Sequence, residues 1–237
     1  MDEAQDLLTP EHLDVMDLLV RGGLRRGRWH VFLDPLQNIY GVETQETVEQ
    51  RLSEGAPAFD DLFENCRNTR QVAVQASIIS GIDLAVVGAP DGPQCHVHHY
   101  ANREEGVAQL DAIVRELITR DVPACDIAIL STRRHENSLL AGLWELAGRR
   151  LADPADEAAL RGGSLLFTTM HAFKGLERQV VIATDMAEIG EDKWAMLHYA
   201  GLSRARGLLH VLMPTSARRA YERQGQAFGR RLETRLT

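Results

Sequence analysis

The residues best placed to do chemistry stand at the start of the sequence, where Asp2-Glu3-Ala4-Gln5-Asp6 follows Met1 directly. Adjacent carboxylates of this kind hold magnesium and activate water in nucleotide-driven motors. Taken alone, Asp2 and Glu3 could equally cap the helix that follows. If the cluster does the motor's job, a strand should lead into it and a phosphate loop should lie upstream, and the chain begins too late to contain either. A second concentration, Cys95-His96-Val97-His98-His99, could supply metal ligands, since His96 and His98 share one face of a strand. No second ligand pair accompanies it, so a histidine-rich strand entering a core is the simpler reading.

The elements that must position these groups follow from periodicity. Leu13, Met16, Leu19 and Val20 mark an early helix, and Val31 to Leu33 a short strand before the turn at Asp34-Pro35. Strands are expected at His96 to Tyr100, Asp126 to Leu130, Ser164 to Thr168, Gln179 to Ala183 and Leu208 to Leu212. Helices are expected over Arg103 to Arg120, around Leu139, Leu140, Leu143 and Leu146, and around Trp194 to Arg204. The segment Arg149 to Gly163 reads as a connection. Alternation of short apolar strands with helices predicts an α/β fold with a mostly parallel sheet covered on both faces.

At 237 residues the chain has room for one good-sized domain or parts of two. Its apolar runs fall far short of the roughly 20 residues a membrane helix needs, and the expected location is the cytoplasm. Three widely spaced cysteines form no disulfide framework. A formal net charge of -8 argues against indiscriminate nucleic-acid binding, although arginine clusters at 21–28, 204–206 and 218–235 leave room for local basic patches.

Five segments in one order resemble the motifs of superfamily 1 helicases of the UvrD/Rep type. They are Asp2-Glu3-Ala4-Gln5-Asp6, Phe32 to Tyr40 with Asp34 and Gln37, Asn65-Cys66-Arg67-Asn68-Thr69, Thr168 to Glu177 with its Lys174-Gly175-Leu176-Glu177, and Tyr199 to Arg206 with Ser203-Arg204-Ala205-Arg206. The fourth is the most specific. Each residue alone has an ordinary role available: Gln37 a polar loop, Arg67-Asn68 a cap for the helix with Val72 and Val74, Lys174-Gly175 a helix terminus, Arg204 a surface ion pair. Their joint order is what carries the resemblance.

The resemblance implies two RecA-like motor domains that hydrolyse ATP with Mg2+. Phosphoryl transfer to water needs magnesium on the terminal phosphates, an oriented water, and cations where charge accumulates. Asp2 would then hold magnesium and Glu3 would be the general base. Gln37 would sense the γ-phosphate, Arg67 and Arg204 would serve as arginine fingers, and Gly175 and Glu177 would belong to the nucleotide site, Glu177 at the ribose. Thr169 and His171 would touch the nucleic-acid backbone. The implied partner is single-stranded or partly duplex DNA traversed 3′ to 5′, with RNA compatible as well.

The sequence departs from that pattern in three places. It contains no Gly-x-x-x-x-Gly-Lys phosphate loop, its only lysines being Lys174 and Lys193. Cys66 stands where the family stacks a tyrosine on adenine, and Leu33 where glycine is usual. The expectation is a carboxyl-terminal helicase part: residues 1–70 as the tail of a first RecA-like domain and 71–237 as the second, inactive as an ATPase alone. The alternatives are a non-catalytic nucleic-acid or protein binding module, and one half of a split motor whose phosphate loop comes from a missing N-terminal half.

Overall fold

The computed structural model describes residues 1–39 and 46–236, so that Tyr40 of the second motif lies outside the described residues. The chain forms two compact units, Met1–Phe63 and Glu64–Thr237.

In the first unit, α1 (Pro10–Leu19) starts where Thr9 Oγ1 accepts the His12 N–H at 3.4 Å and Pro10 occupies the first turn, a combination that satisfies one orphan donor and pre-sets the backbone. Thr9 is thus the cap, and the acids upstream are not. Helices α2 (Gly23–Arg26) and α3 (Glu46–Ser53) follow. Ala4, Leu8, Leu13, Leu24 and Val48 form a small core, flanked by Met16, Trp29 and Leu52. Only part of the apolar stripe expected on α1 is buried: Leu13 is enclosed, whereas Leu19 is 80% exposed, as is its neighbour Leu18 at 86%. The strand expected at Val31 to Leu33 does not form. Phe32 N donates to Met1 O at 2.9 Å and Ala4 N to Phe32 O at 3.0 Å, but this contact does not extend into a ladder.

The second unit holds a seven-stranded sheet: β1 (His96–Tyr100), β2 (Ile127–Ser131), β3 (Glu145–Leu146), β4 (Arg149–Ala152), β5 (Leu165–Thr169), β6 (Arg178–Thr184) and β7 (Ala205–Pro214), in the order β1-β7-β6-β2-β5-β4-β3. Every pairing is parallel except β3 with β4. Helices α4 (Arg70–Ser80), α5 (Arg103–Thr119), α6 (Glu157–Arg161), α7 (Asp192–Leu202) and α8 (Arg218–Leu236) complete it. Leu110, Ile113, Val114 and Leu117 of α5 pack on Ile127, Ile129, Val180 and Ile182. The alternate residues Ala128, Leu130, Val181 and Ala183 are also buried, so both faces of the sheet are covered, as a parallel sheet requires. The expected α/β architecture is the one observed.

Two local expectations fail. None of Leu139, Leu140, Leu143 and Leu146 lies on a helix: the first three are in a turn leading into the β3–β4 hairpin and Leu146 ends β3, because Gly142, Ala147 and Gly148 take positive φ of 75°, 52° and 70°, which no helix accommodates. Arg149 to Gly163 contains β4 and α6 rather than a bare connection.

On β1 and β7, His96 and His98 do share a face, and both stack on His210 at ring distances of 4.9 and 5.5 Å, with His98 Nε2 3.2 Å from His210 Nδ1. Among the described residues no group of three or more His, Cys, Asp or Glu is placed to hold a metal. Burial, with His96, His98 and Arg120 nearby, pushes His210 down to about 3, and burial alone pushes His198 down to about 4, from the ordinary 6.5. Both are neutral in the fold but take up a proton on unfolding. Their contribution is therefore complete above pH 6.5 and declines as pH falls toward 4. Two such groups cost about 3 kcal/mol by pH 5.5. Urea unfolding at pH 7.5 and 5.5 should show that loss, and His210→Asn should remove about half of it.

Candidate functional site

In the first unit the two leading motifs meet through side chains. Glu3 sits in the left-handed region at φ 50°, between Asp2 and a short 3-10 turn, Ala4–Asp6. Its amide donates to Asp2 Oδ1 at 3.0 Å, and Gln5 Nε2 donates to its Oε2 at 2.6 Å. Gln5 is buried, and its Oε1 accepts the Asp34 N–H at 3.1 Å. Asp34 in turn accepts Leu36 N at 3.0 Å and Gln37 Nε2 at 2.8 Å. One hydrogen-bonded path thus joins Glu3, Gln5, Asp34 and Gln37. Glu3 makes no capping bond with its side chain, and its positive φ is a conformation that a non-glycine residue keeps only when its surroundings hold it there.

In the second unit three motifs converge where β6 and β7 begin. Glu177 and Arg204 each stand one residue before those strands, and Arg178 pairs with Ala205. Asn68 is buried, its Nδ2 donating to Ser203 O at 2.7 Å and Ala205 O at 2.6 Å. Thr69 N donates to Arg206 O at 2.9 Å and Thr69 Oγ1 to Gly207 O at 3.2 Å. Thr69, not Arg67 or Asn68, is the N-cap residue of α4, and its side chain makes no capping bond. Asn65 Oδ1 accepts from the amides of Arg67 and Asn68 at 3.1 and 3.0 Å, which presents Arg67 outward. Glu177 lies between two cations, Arg67 Nε at 3.2 Å and Arg206 Nη1 at 3.5 Å. All three side chains are about half exposed, so these pairs contribute little stability and can exchange for another anion at low cost. Arg204 differs: it is 2% exposed, with Nε donating to Ala200 O at 2.9 Å.

The fourth motif runs from one edge of the sheet to the other. Thr169 closes β5, and its Oγ1 accepts Ala172 N at 3.2 Å. Residues 170–177 then cross back to the start of β6, anchored by the buried Met170 and Phe173. Met170 lies against Gly201 of α7, where an added Cβ would come within 2.6 Å of its Sδ, so glycine is what lets that helix approach. Gly175 turns at φ 81° with open space around it, so its need is conformational rather than steric. Thr169 and His171 are therefore at the carboxyl-terminal edge and Glu177 at the amino-terminal edge. Burial lowers the His171 imidazole below its ordinary value, which leaves it neutral near pH 7 and suited to hydrogen bonding.

One residue of this edge escaped the reading of the sequence. Asp185 follows β6 at φ 60°. Its carboxylate accepts Ser131 Oγ at 2.6 Å, Thr184 Oγ1 at 3.1 Å and Leu139 N at 2.8 Å, while its carbonyl accepts Thr132 Oγ1 at 2.7 Å. Burial raises its pKa above the ordinary carboxylate value despite these donors. A carboxylate just past the end of a parallel strand was the available signal, since ligands of open α/β sheets gather there.

No family model matches this sequence, and no curated protein matches it either. Among solved structures the chain resembles the C-terminal domain of a possible DNA helicase from Lactobacillus plantarum WCFS1, at 22% identity and a TM-score of 0.50, over 68% of this chain and 95% of that one. At that identity the likeness is one of fold: the mostly parallel α/β architecture of this chain resembles that of the C-terminal domain of a possible DNA helicase.

Proposed function

We propose that this chain is the carboxyl-terminal part of an ATP-dependent superfamily 1 DNA helicase of the UvrD/Rep type. The observation that carries the reading is the convergence of Asn65–Thr69, Glu177 and Ser203–Arg206, three segments far apart in sequence, at the start of β6 and β7. Matches arising by chance would have no reason to meet. In this reading the first motor domain runs to about residue 70 and the second over 71–237, the junction segment Asn65–Thr69 folding with the second compact unit. Arg67 and Arg204 answer the phosphates, Glu177 and Gly175 serve the nucleotide, and Thr169 and His171 hold the strand.

Magnesium fits the donors present. Asp2 is an exposed all-oxygen ligand, and Mg2+ is commonly held by one or two carboxylates, with water and substrate phosphates supplying the rest. Glu3, oriented by Gln5, is the base that would take the proton of an attacking water. The triphosphate itself finds no glycine-lysine cradle in this sequence, and the exposed Val15, Leu18, Leu19, Phe32, Leu33 and Leu36 of the first unit are the surface on which a polypeptide bearing that loop would pack. Among the described residues no helix is long and apolar enough to cross a membrane.

The isolated chain should therefore bind single-stranded oligonucleotide in a salt-sensitive manner without ATP, and should not turn ATP over. Thr169→Ala with His171→Ala should abolish binding, while Asp2→Asn and Glu3→Gln leave it intact. Robust turnover by this chain, lost on Glu3→Gln, would refute its inactivity. The burial of Arg204 and the pairing of Glu177 with two arginines favour a second reading, a binding module without hydrolysis. That module would bind strands as described, yet gain no ATPase when a phosphate-loop polypeptide is supplied.

A further inference from the structure

Beyond the β5 edge lies an aromatic surface that none of the five motifs includes. Trp144 is 67% exposed, yet it is firmly placed. One face of its indole stacks on His135, centroids 4.3 Å apart and planes 30° from parallel. His135 is itself fixed, with Nε2 2.8 Å from Leu143 O and its ring edge-on to Phe167 at 5.4 Å and 78°. The backbone of Trp144 is held as well, its carbonyl accepting Leu151 N at 2.8 Å next to the β3–β4 hairpin. An isolated exposed apolar side chain needs no explanation. A rigid indole backed by a second ring is different, because a flat ligand can stack on it with little further loss of side-chain freedom.

Its position narrows the ligand. Contacts run from Trp144 through His135 to Phe167, and Phe167 is two residues from Thr169 on β5, on the same face. Ser131, which ends β2, is in register with Thr169 and accepts Met170 N at 2.9 Å, and His135 lies four residues further on. Arg133 and Arg134 are exposed along the same segment, with Arg133 over the Trp194 ring at 5.8 Å and paired with Glu188. Glu136 and Glu145, next in sequence to His135 and Trp144, are exposed too, so charge alone would not draw a polyanion there. Stacking would.

We propose that Trp144 is a stacking platform for one unpaired base of the nucleic-acid strand whose backbone passes Thr169 and His171. The platform rests on the strand-binding reading above and adds to it a base contact indifferent to sequence. Anisotropy with the full chain tests it, using fluorescent oligo(dT) and an abasic oligomer of equal length. Trp144→Ala should weaken oligo(dT) binding about 5- to 150-fold, the span of one stacked base, and leave abasic binding unchanged. Trp144→Phe should hold affinity within about threefold; oligo(dT) should quench tryptophan emission of the native chain, and that quenching should largely vanish in Trp144→Phe. Equal loss on both oligomers, or quenching unchanged in Trp144→Phe, overturns the platform. Unaltered oligo(dT) affinity in Trp144→Ala, with binding still lost in the Thr169 and His171 variants, overturns the platform alone. Failure of the native chain to bind any strand overturns both readings.

Discussion

Asp185→Ala is expected to lower the unfolding free energy of the chain by about 3 kcal/mol or more. The carboxylate accepts three bonds, from Ser131 Oγ, Thr184 Oγ1 and Leu139 N. Each bond to an ionised acceptor contributes about 1.5–3 kcal/mol, and an abandoned buried donor carries its own desolvation cost. The two hydroxyls can rotate toward other acceptors, which offsets part of the loss, but the Leu139 amide cannot. Asp185→Asn keeps the shape and should cost roughly half as much, since its carbonyl can still take the Leu139 N–H. Urea unfolding of the three proteins at pH 7.5 decides this; equal stability would show that water replaces the carboxylate without penalty. The consequence reaches function through position. Ser131 precedes the segment carrying Arg133, Arg134 and His135, and its carbonyl holds Met170 in the motif that follows Thr169. Leu139 opens the turn toward Trp144. Strand binding should weaken in Asp185→Ala even under conditions where the fold survives.

The parts of this architecture legible in sequence were those set by local pattern. β1 matches its expected span residue for residue, and β2, β5 and β6 lie within one or two residues of theirs, because short apolar runs bounded by polar or turn-forming residues have few alternatives. β7 begins three residues earlier than its apolar run suggested, since Ala205, Arg206 and Gly207 are drawn into the ladder by Arg178 and the loop at Thr69. The leucines at 139, 140, 143 and 146 show how periodicity misleads. Three of them are deeply buried, and burial is what their pattern reported, but glycines on both sides of the pair Leu143 and Leu146 divert the backbone into a hairpin. At the candidate site the residue types and their order were legible. Their neighbours were not: nothing local announces that Arg204 is enclosed beneath Ala200, that one Glu177 serves two arginines, or that Asp185 bonds a serine 54 positions away. Those facts belong to the topology, which brings together segments that sequence keeps apart.

Glu3→Gln is expected to reduce ATP turnover about 10²- to 10⁴-fold, the usual contribution of a positioned general base, when the chain is assembled with a polypeptide carrying a Gly-x-x-x-x-Gly-Lys phosphate loop. The substitution preserves volume and removes the charge that would accept a proton from water. Its effect should therefore fall on kcat, with nucleotide affinity held within a few-fold. Asp2→Asn should divide differently, raising the magnesium concentration needed for half-maximal rate, because its oxygen would face the ion. Gln5→Ala probes the positioning. Gln5 Nε2 holds Glu3 Oε2 at 2.6 Å and Gln5 Oε1 holds the Asp34 amide at 3.1 Å, so its loss frees the base and loosens the loop bearing Gln37 together. A drop in kcat smaller than that of Glu3→Gln, with a shifted pH profile, would mark Gln5 as acting through Glu3. Leu18→Glu with Leu19→Glu supplies the complementary test of assembly: both side chains are exposed in this unit, so the chain should keep its fold while losing the phosphate-loop partner and, with it, all turnover. If the assembled system hydrolyses ATP at an undiminished rate with Gln at position 3, the acidic pair is a structural feature of the Gln5 and Asp34 network and the base must be sought elsewhere.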